Sequence, residues 1–148
     1  MTMETSVVVT QALARHAGRP GALLPILHDV QDALGHVPRA AVPVIAQALN
    51  LSRAEVHGVV TYYHHFRSEP AGAHLLQVCR AESCRTMGAE ALLAQARERV
   101  ADRADWTVEP VYCLGLCAQS PAAMLGDRLH ARLTPQRLAR LIEAEAMR

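Results

Sequence analysis

Four cysteines set the terms for this chain. Cys79 and Cys84 lie in VCRAESCRTMG, Cys113 and Cys117 in VYCLGLCAQSP, and the sequence contains no others. Two close pairs, separated by a segment long enough for one helix and one strand, demand a fold that brings two distant loops together. The residue type makes the meeting point a metal or cluster site. Two disulfides are the other use of an even count, but bridges are dense in small secreted domains. Here 51% of 148 residues are hydrophobic, which is enough for a core. The start, MTMETSVVVTQALARHAGRPG, has no basic segment followed by a long apolar run. No stretch approaches the roughly 18 to 20 apolar residues of a membrane span. We therefore expect a soluble, cytoplasmic protein with reduced thiolates and no direct membrane insertion. A formal net charge of +1 supplies no broad field for nucleic acid, which is set aside as a partner.

The first half reads as helices. Residues about 5 to 17 carry Val8, Ala12 and Leu13 and stop at Gly18. ALLPILHDVQDALG spaces Leu23, Leu24, Leu27, Val30 and Leu34 for one helix face, with Gly35 as its end. In RAAVPVIAQALN, Val42, Ile45, Ala46 and Leu49 form a stripe before Asn50. Ser52 and Glu55 form a capping box opening a fourth helix through Val56, Val59, Val60 and Tyr63 toward Phe66. Gly58 costs roughly 1 kcal/mol against alanine inside that helix and predicts a close backbone approach by another element. Tyr62, Tyr63 and Phe66, beside His64 and His65, read first as packing and second as a partner-docking surface. His28, His36 and His57 lack the i, i+4 pairing of a helical zinc motif and read as surface or satisfied core histidines. This helical region is assigned to residues 1–67, and SEPAGAH, residues 68–74, to the linker.

The second region, residues 74–148, mixes strands and helices. HLLQVC, residues 74–79, is a short buried strand delivering Cys79, and Cys84 falls in the loop that follows. A helix begins at Gly88 with Ala89, Leu92, Leu93, Ala96 and Val100 on one face. WTVEPVYC, residues 106–113, is a strand delivering Cys113, with Cys117 in the next loop. PAAMLGDRLHARL divides at Gly126-Asp127 into a hairpin, and Thr134-Pro135 caps a last helix, with Leu133 placed to staple onto Leu138. Strand, helix, strand, strand, strand, helix is the outline of a thioredoxin-like domain with a four-stranded mixed sheet. Its parallel βαβ start puts the C-terminal ends of both cysteine-bearing strands at one edge of the sheet.

Three occupants compete for that edge. A thioredoxin-type redox disulfide needs C-x-x-C, whereas these pairs enclose four and three residues. Structural zinc takes four thiolates, usually from tighter knuckles, and stays open as an assembly adaptor. A 2Fe-2S cluster takes two thiolates per iron, which a pair-and-pair supply suits. The three-in-one-loop pattern of plant-type ferredoxins is absent.

C-x4-C followed by CLGxC, preceded by GALLPILHDVQDALGHVP and VHGVVTYYHHF, resembles the thioredoxin-like 2Fe-2S subunit of respiratory complex I. The same pattern is similar to relatives in NAD-linked hydrogenases and to the gamma subunit of NAD-dependent molybdenum formate dehydrogenases. The short N-terminus and CRAESCRTMG resemble that last branch most. The resemblance covers about residues 20–140. It implies an α/β chain, an N-terminal helical bundle followed by a thioredoxin-like domain, with one 2Fe-2S cluster on Cys79, Cys84, Cys113 and Cys117. It implies partners too: a flavin subunit carrying FMN, the NAD site and further iron-sulfur clusters, and a molybdenum subunit oxidising formate. Catalysis then belongs to the partners, since no G-x-G-x-x-G or phosphate loop is present. A cluster-carrying redox sensor is a further reading.

Because a thiolate-held cluster is anionic and gains another electron on reduction, Arg80 and Arg85, flanking the first pair, are candidates for tuning its potential. Gly115 and the Gly88 helix start are candidate backbone donors to sulfur. Pro121 is expected to be cis.

Overall fold

The computed structural model describes residues 2–147; residues 1 and 148, the outer ends of the two expected regions, lie outside the described part. The chain forms two compact units, Met1–Ala71 and Gly72–Arg148.

The first unit contains α1 (Met3–Arg15), α2 (Leu23–Leu34), α3 (Ala41–Leu49) and α4 (Arg53–Tyr62). Helix α1 starts earlier than expected because the Thr2 hydroxyl accepts from the Thr5 N–H and caps it. Its buried face is Thr5, Val9 and Ala12, one residue along from the expected Val8, which is only partly buried. Helix α2 stops at Gly35 (φ +75) and α3 at Asn50 (φ +53), both left-handed, as their sequences require. The Ser52–Glu55 capping box is present with both of its hydrogen bonds. Ile26, Leu27, Val30, Ile45 and Val56 are fully enclosed in a core that also takes Phe66. Buried Gln31 holds the chain beyond α4: its amide donates to the His65 carbonyl at 2.7 Å and its carbonyl accepts from the Arg67 N–H at 2.7 Å.

Gly58 does not have the role its position suggested. A Cβ built there meets nothing within 4 Å, because the glycine faces outward on α4. The close approach lies at Gly72 instead, where a Cβ would collide with the Asp105 carbonyl.

The second unit runs β1 (His74–Cys79), α5 (Glu82–Thr86), α6 (Ala89–Arg99), β2 (Trp106–Val111), a 3-10 turn (Cys117–Gln119), β3 (Ala123–Leu125), β4 (Arg128–His130) and α7 (Pro135–Ala146). The sheet order is β2-β1-β3-β4, with β1 and β2 parallel and the other two pairings antiparallel. Strand β2 is an edge, which accommodates Pro110. Leu76 and Val78 of β1 share a core with Leu92, Leu93 and Ala96 of α6 and Leu138 and Ile142 of α7. Leu133 and Leu138 are both buried in it, and the Thr134 hydroxyl caps α7 at the Arg137 N–H, as the staple and cap motifs predict. Two expected boundaries move. Residues 82–86 form a helix rather than a loop, and β2 ends at Val111, two residues before Cys113. Among the described residues no helix is long and apolar enough to cross a membrane.

Candidate metal centre

The parallel pairing of β1 and β2 fixes where the cysteines go. In register, Cys79 lies opposite Val111, and the Arg80 N–H donates to the Val111 carbonyl at 2.8 Å, so both strands finish together. Cys79 is the last residue of β1, its N–H donating to the Ala122 carbonyl at 3.0 Å. The chain then turns into α5, whose single turn carries Cys84 inward; both residues are 2% exposed. Ala89 and Ala122 complete this small buried cluster, with Ala81, Val111, Leu114 and Leu116 packed around it. Cys113 has φ +82, a conformation that costs an L residue roughly 1–2 kcal/mol. Gly115 follows at φ +75 and donates its N–H to the Cys113 sulfur at 3.4 Å. Cys117 opens the 3-10 turn. The second pair is exposed where the first is buried.

All four thiols are free, and the sulfurs of the exposed pair are in contact without forming a disulfide. The Cys113 and Cys117 sulfurs stand 3.7 Å apart. Two thiolates on one tetrahedral centre, with bonds of about 2.3 Å as in zinc sites, stand about 3.8 Å apart, whereas a disulfide needs about 2.05 Å. Charge at the site follows the same pattern. Burial pushes the Cys79 thiol up, but the Ala81 N–H, the Cys84 side chain and the N–H groups of Cys113 and Leu114 outweigh it and hold it below its ordinary value. Burial pushes Cys84 up, reinforced by its neighbour Cys79 and only partly offset by the Ala122 N–H and Ser120. Its contact with Cys113, and that neighbour's charge, push Cys117 up.

Among the described residues, no group of three or more His, Cys, Asp or Glu side chains is placed to hold one metal ion. A mononuclear zinc site needs four donors around a single point, whereas a two-iron cluster asks for two thiolates at each end. Two cysteine pairs delivered to one edge of the sheet suit the second demand.

Of the tuning candidates, the Arg80 guanidinium donates to Glu90 of α6 at 2.7 Å, so its charge is largely offset. Arg85 lies 3.9 Å from Glu82 with both side chains mostly exposed. Gly115 donates to sulfur as expected, but the Gly88 N–H donates to the Arg85 carbonyl. The Ser120–Pro121 bond is cis, as expected. Sequence reasoning missed Ser83 and Ser120. Both hydroxyls reach the Cys117 carbonyl and each other, tying the two cysteine loops together. Their positions, one before Cys84 and one before Pro121, were the available signal.

In the first unit, the aromatic cluster divides. Phe66 is core, packed edge-on to His28 at 5.0 Å, while Tyr62 and Tyr63 are 75% and 43% exposed. The tyrosines line a groove with Leu23, Leu51, Gly58 and Val59. His36 contacts the Leu34 carbonyl through Nδ1 at 3.0 Å, and His57 lines a neighbouring groove with Arg39 and Val42.

The family profile described as thioredoxin-like [2Fe-2S] ferredoxin matches residues 9–146. An NADH-quinone oxidoreductase subunit of Rhizobium meliloti (strain 1021) is 34% identical, over 97% of this chain and 89% of the relative. The NADP-reducing hydrogenase subunit HndA of Solidesulfovibrio fructosivorans is 25% identical, over 90% of this chain and 82% of the relative. Among solved structures, an NAD+-reducing [NiFe]-hydrogenase in the air-oxidized state superposes with a TM-score of 0.63 and 26% identity. That match covers 82% of this chain but only 22% of the hydrogenase chain. The chain therefore belongs to the thioredoxin-like [2Fe-2S] ferredoxin family, with one 2Fe-2S cluster as its cofactor.

Proposed function

We propose that Cys79, Cys84, Cys113 and Cys117 ligate that cluster, and that the chain is an electron-transfer subunit of a multi-subunit NAD-linked oxidoreductase of the quinone-reducing or hydrogenase kind. The observation carrying the ligand assignment is the convergence of two thiol pairs on one strand edge, with the outer sulfurs at metal-ligand separation. The complex assignment is supported by the relatives above, named for quinone-reducing and hydrogenase complexes. They weigh toward those complexes and away from the formate dehydrogenase that CRAESCRTMG suggested. That branch is a second reading, and a molybdenum partner belongs to it alone.

When bound, the cluster supplies one-electron exchange. Cys79 and Cys84 anchor it from the buried side. The N–H groups of Ala81, Cys113, Leu114 and Gly115 lie against sulfur and favour the more negative state. Cys113 and Cys117 present the outer end to a redox partner, for which an FMN-bearing, NAD-binding iron-sulfur subunit is the proposed donor or acceptor. The exposed Tyr62 and Tyr63 make the helical unit the proposed docking surface for that subunit. Free thiols suit a cytoplasmic setting.

The test is anaerobic purification with the co-expressed partners. We expect two irons per chain, visible absorption, and a paramagnetic signal on reduction, in a complex containing flavin. A colourless, silent protein with stoichiometric zinc would overturn the ligand assignment, and isolation as a lone complete protein the complex assignment. Molybdenum rather than nickel or quinone-reductase activity in the complex would decide for the formate branch.

A further inference from the structure

Helix α4 divides the surface of the first unit into two flanks. Glu55, Gly58 and Tyr62 recur at three and four residues and share one of them, the flank of the tyrosine groove. Arg53 and His57, one turn apart, share the other. There two grooves of ≈ 340 and ≈ 470 Å³ run together, because Arg39, Val42 and His57 line both. Val60 and Phe66 wall the first groove, Pro43 and Arg53 the second.

The charge on this flank has nothing to answer it. Among the described residues no Asp or Glu lines either groove, and neither Arg39 nor Arg53 forms an ion pair, whereas Arg15 and His16 share Asp29. Glu55, the carboxylate of α4, lies on the far flank and accepts from the Ser52 N–H at 2.7 Å. Both arginines are exposed, while Val42 and Pro43 between them are half-buried apolar wall. An occupant that satisfies both features brings carboxylates for the guanidinium groups and an apolar side chain for the wall. A free inorganic anion would leave the wall unused. Two arginines, on a chain of formal net charge +1, are also too few for a lipid or nucleic-acid surface, which needs a broader field.

Building on the docking role given above to the helical unit, we propose that the groove along Arg39, Val42, Arg53 and His57 takes an acidic segment of the flavin-bearing partner subunit. An apolar side chain of that segment seats against Val42, and its carboxylates pair with Arg39 and Arg53. The tyrosine flank of α4 then supplies apolar contact and this flank supplies register, since charge complementarity fixes orientation and speeds encounter.

The test is the affinity of the full chain for the purified partner subunit, measured against salt. Arg39→Gln/Arg53→Gln should weaken binding about tenfold at low salt, and the loss should shrink as salt screens the pairs. Arg39→Lys/Arg53→Lys should keep most of the affinity. Arg19→Gln/Arg97→Gln, which removes the same charge from exposed positions elsewhere, should leave it unchanged. The chain contains no lysine, so the lysine variant also introduces unique side-chain amines. Carbodiimide should couple them to the partner, and peptide mass spectrometry should find the link on a stretch of clustered Asp and Glu. Wild-type affinity in Arg39→Gln/Arg53→Gln, an equal loss in Arg19→Gln/Arg97→Gln, or lysines that couple to no partner carboxylate would overturn the assignment. So would a glutamine variant that loses binding only to phosphatidylglycerol vesicles, which would give the groove to a membrane surface. Failure of the underlying reading has its own signature, a wild-type chain that binds no such partner at any salt, and it takes the groove assignment with it.

Discussion

Gly58 and Gly72 answer to different forces. Gly58 sits within a helix beside open space, so Gly58→Ala should recover the helix propensity difference and stabilise the first unit by about 1 kcal/mol. Gly72 has backbone where its Cβ would go, and Gly72→Ala should destabilise the second unit by about 1–3 kcal/mol through enforced displacement. Urea titrations of the two variants check both signs; destabilisation by Gly58→Ala would restore the close approach that its sequence position suggested. A glycine in a helical pattern reports a local cost, but the cause of that cost lies in what packs against it. The cysteines stand out in the sequence for the opposite reason. Their proposed role is read from chemistry and spacing, whereas Ser83 and Ser120 meet only when the fold places them at one carbonyl.

At the scale of elements, local rules carried far. The capping box of α4, the left-handed stops at Gly35 and Asn50 and the Thr134 cap of α7 all follow from short-range geometry, which the sequence states directly. Helix α5 escaped because one turn is too short to display periodicity, and β2 ended early because Cys113 must enter a left-handed turn. The α4 cap also has a pH signature. The Ser52 N–H and then its hydroxyl hold the Glu55 carboxyl below its ordinary value, so the folded form prefers the carboxylate. Its contribution is present above the unfolded carboxylate value of about 4.3 and is lost as pH falls through the lower folded value. We expect Ser52→Ala to cost about 1 kcal/mol at neutral pH, and Glu55→Gln to flatten the acid limb of the first unit's stability profile, both read by chemical denaturation against pH. An acid limb unchanged by Glu55→Gln would remove the carboxylate from the cap's energetics.

Each of the two units has its own buried core, one built around Ile26, Leu27 and Val30 and the other around Leu76, Leu138 and Ile142. The sequence reading placed a helical region at residues 1–67 and a mixed one at residues 74–148, from the change of periodicity and the turn-rich stretch between them; the two units meet between Ala71 and Gly72. The difference between the two thiol pairs was not announced, because burial is a property of the assembled fold. With Cys79 and Cys84 enclosed and Cys113 and Cys117 at the surface, the molecule has an inner and an outer side to its vulnerability. On the proposed ligand set, once a chelator removes the iron in air the outer sulfurs, 3.7 Å apart, need only close to bonding distance to become a disulfide, while the inner pair stays shielded from oxidant. Differential alkylation followed by peptide mass spectrometry should find the Cys113–Cys117 disulfide first; a Cys79–Cys84 bridge forming earlier would reverse that order. The damage would act as a latch, since a chain that has lost its iron to air must meet a reductant before it can be refilled.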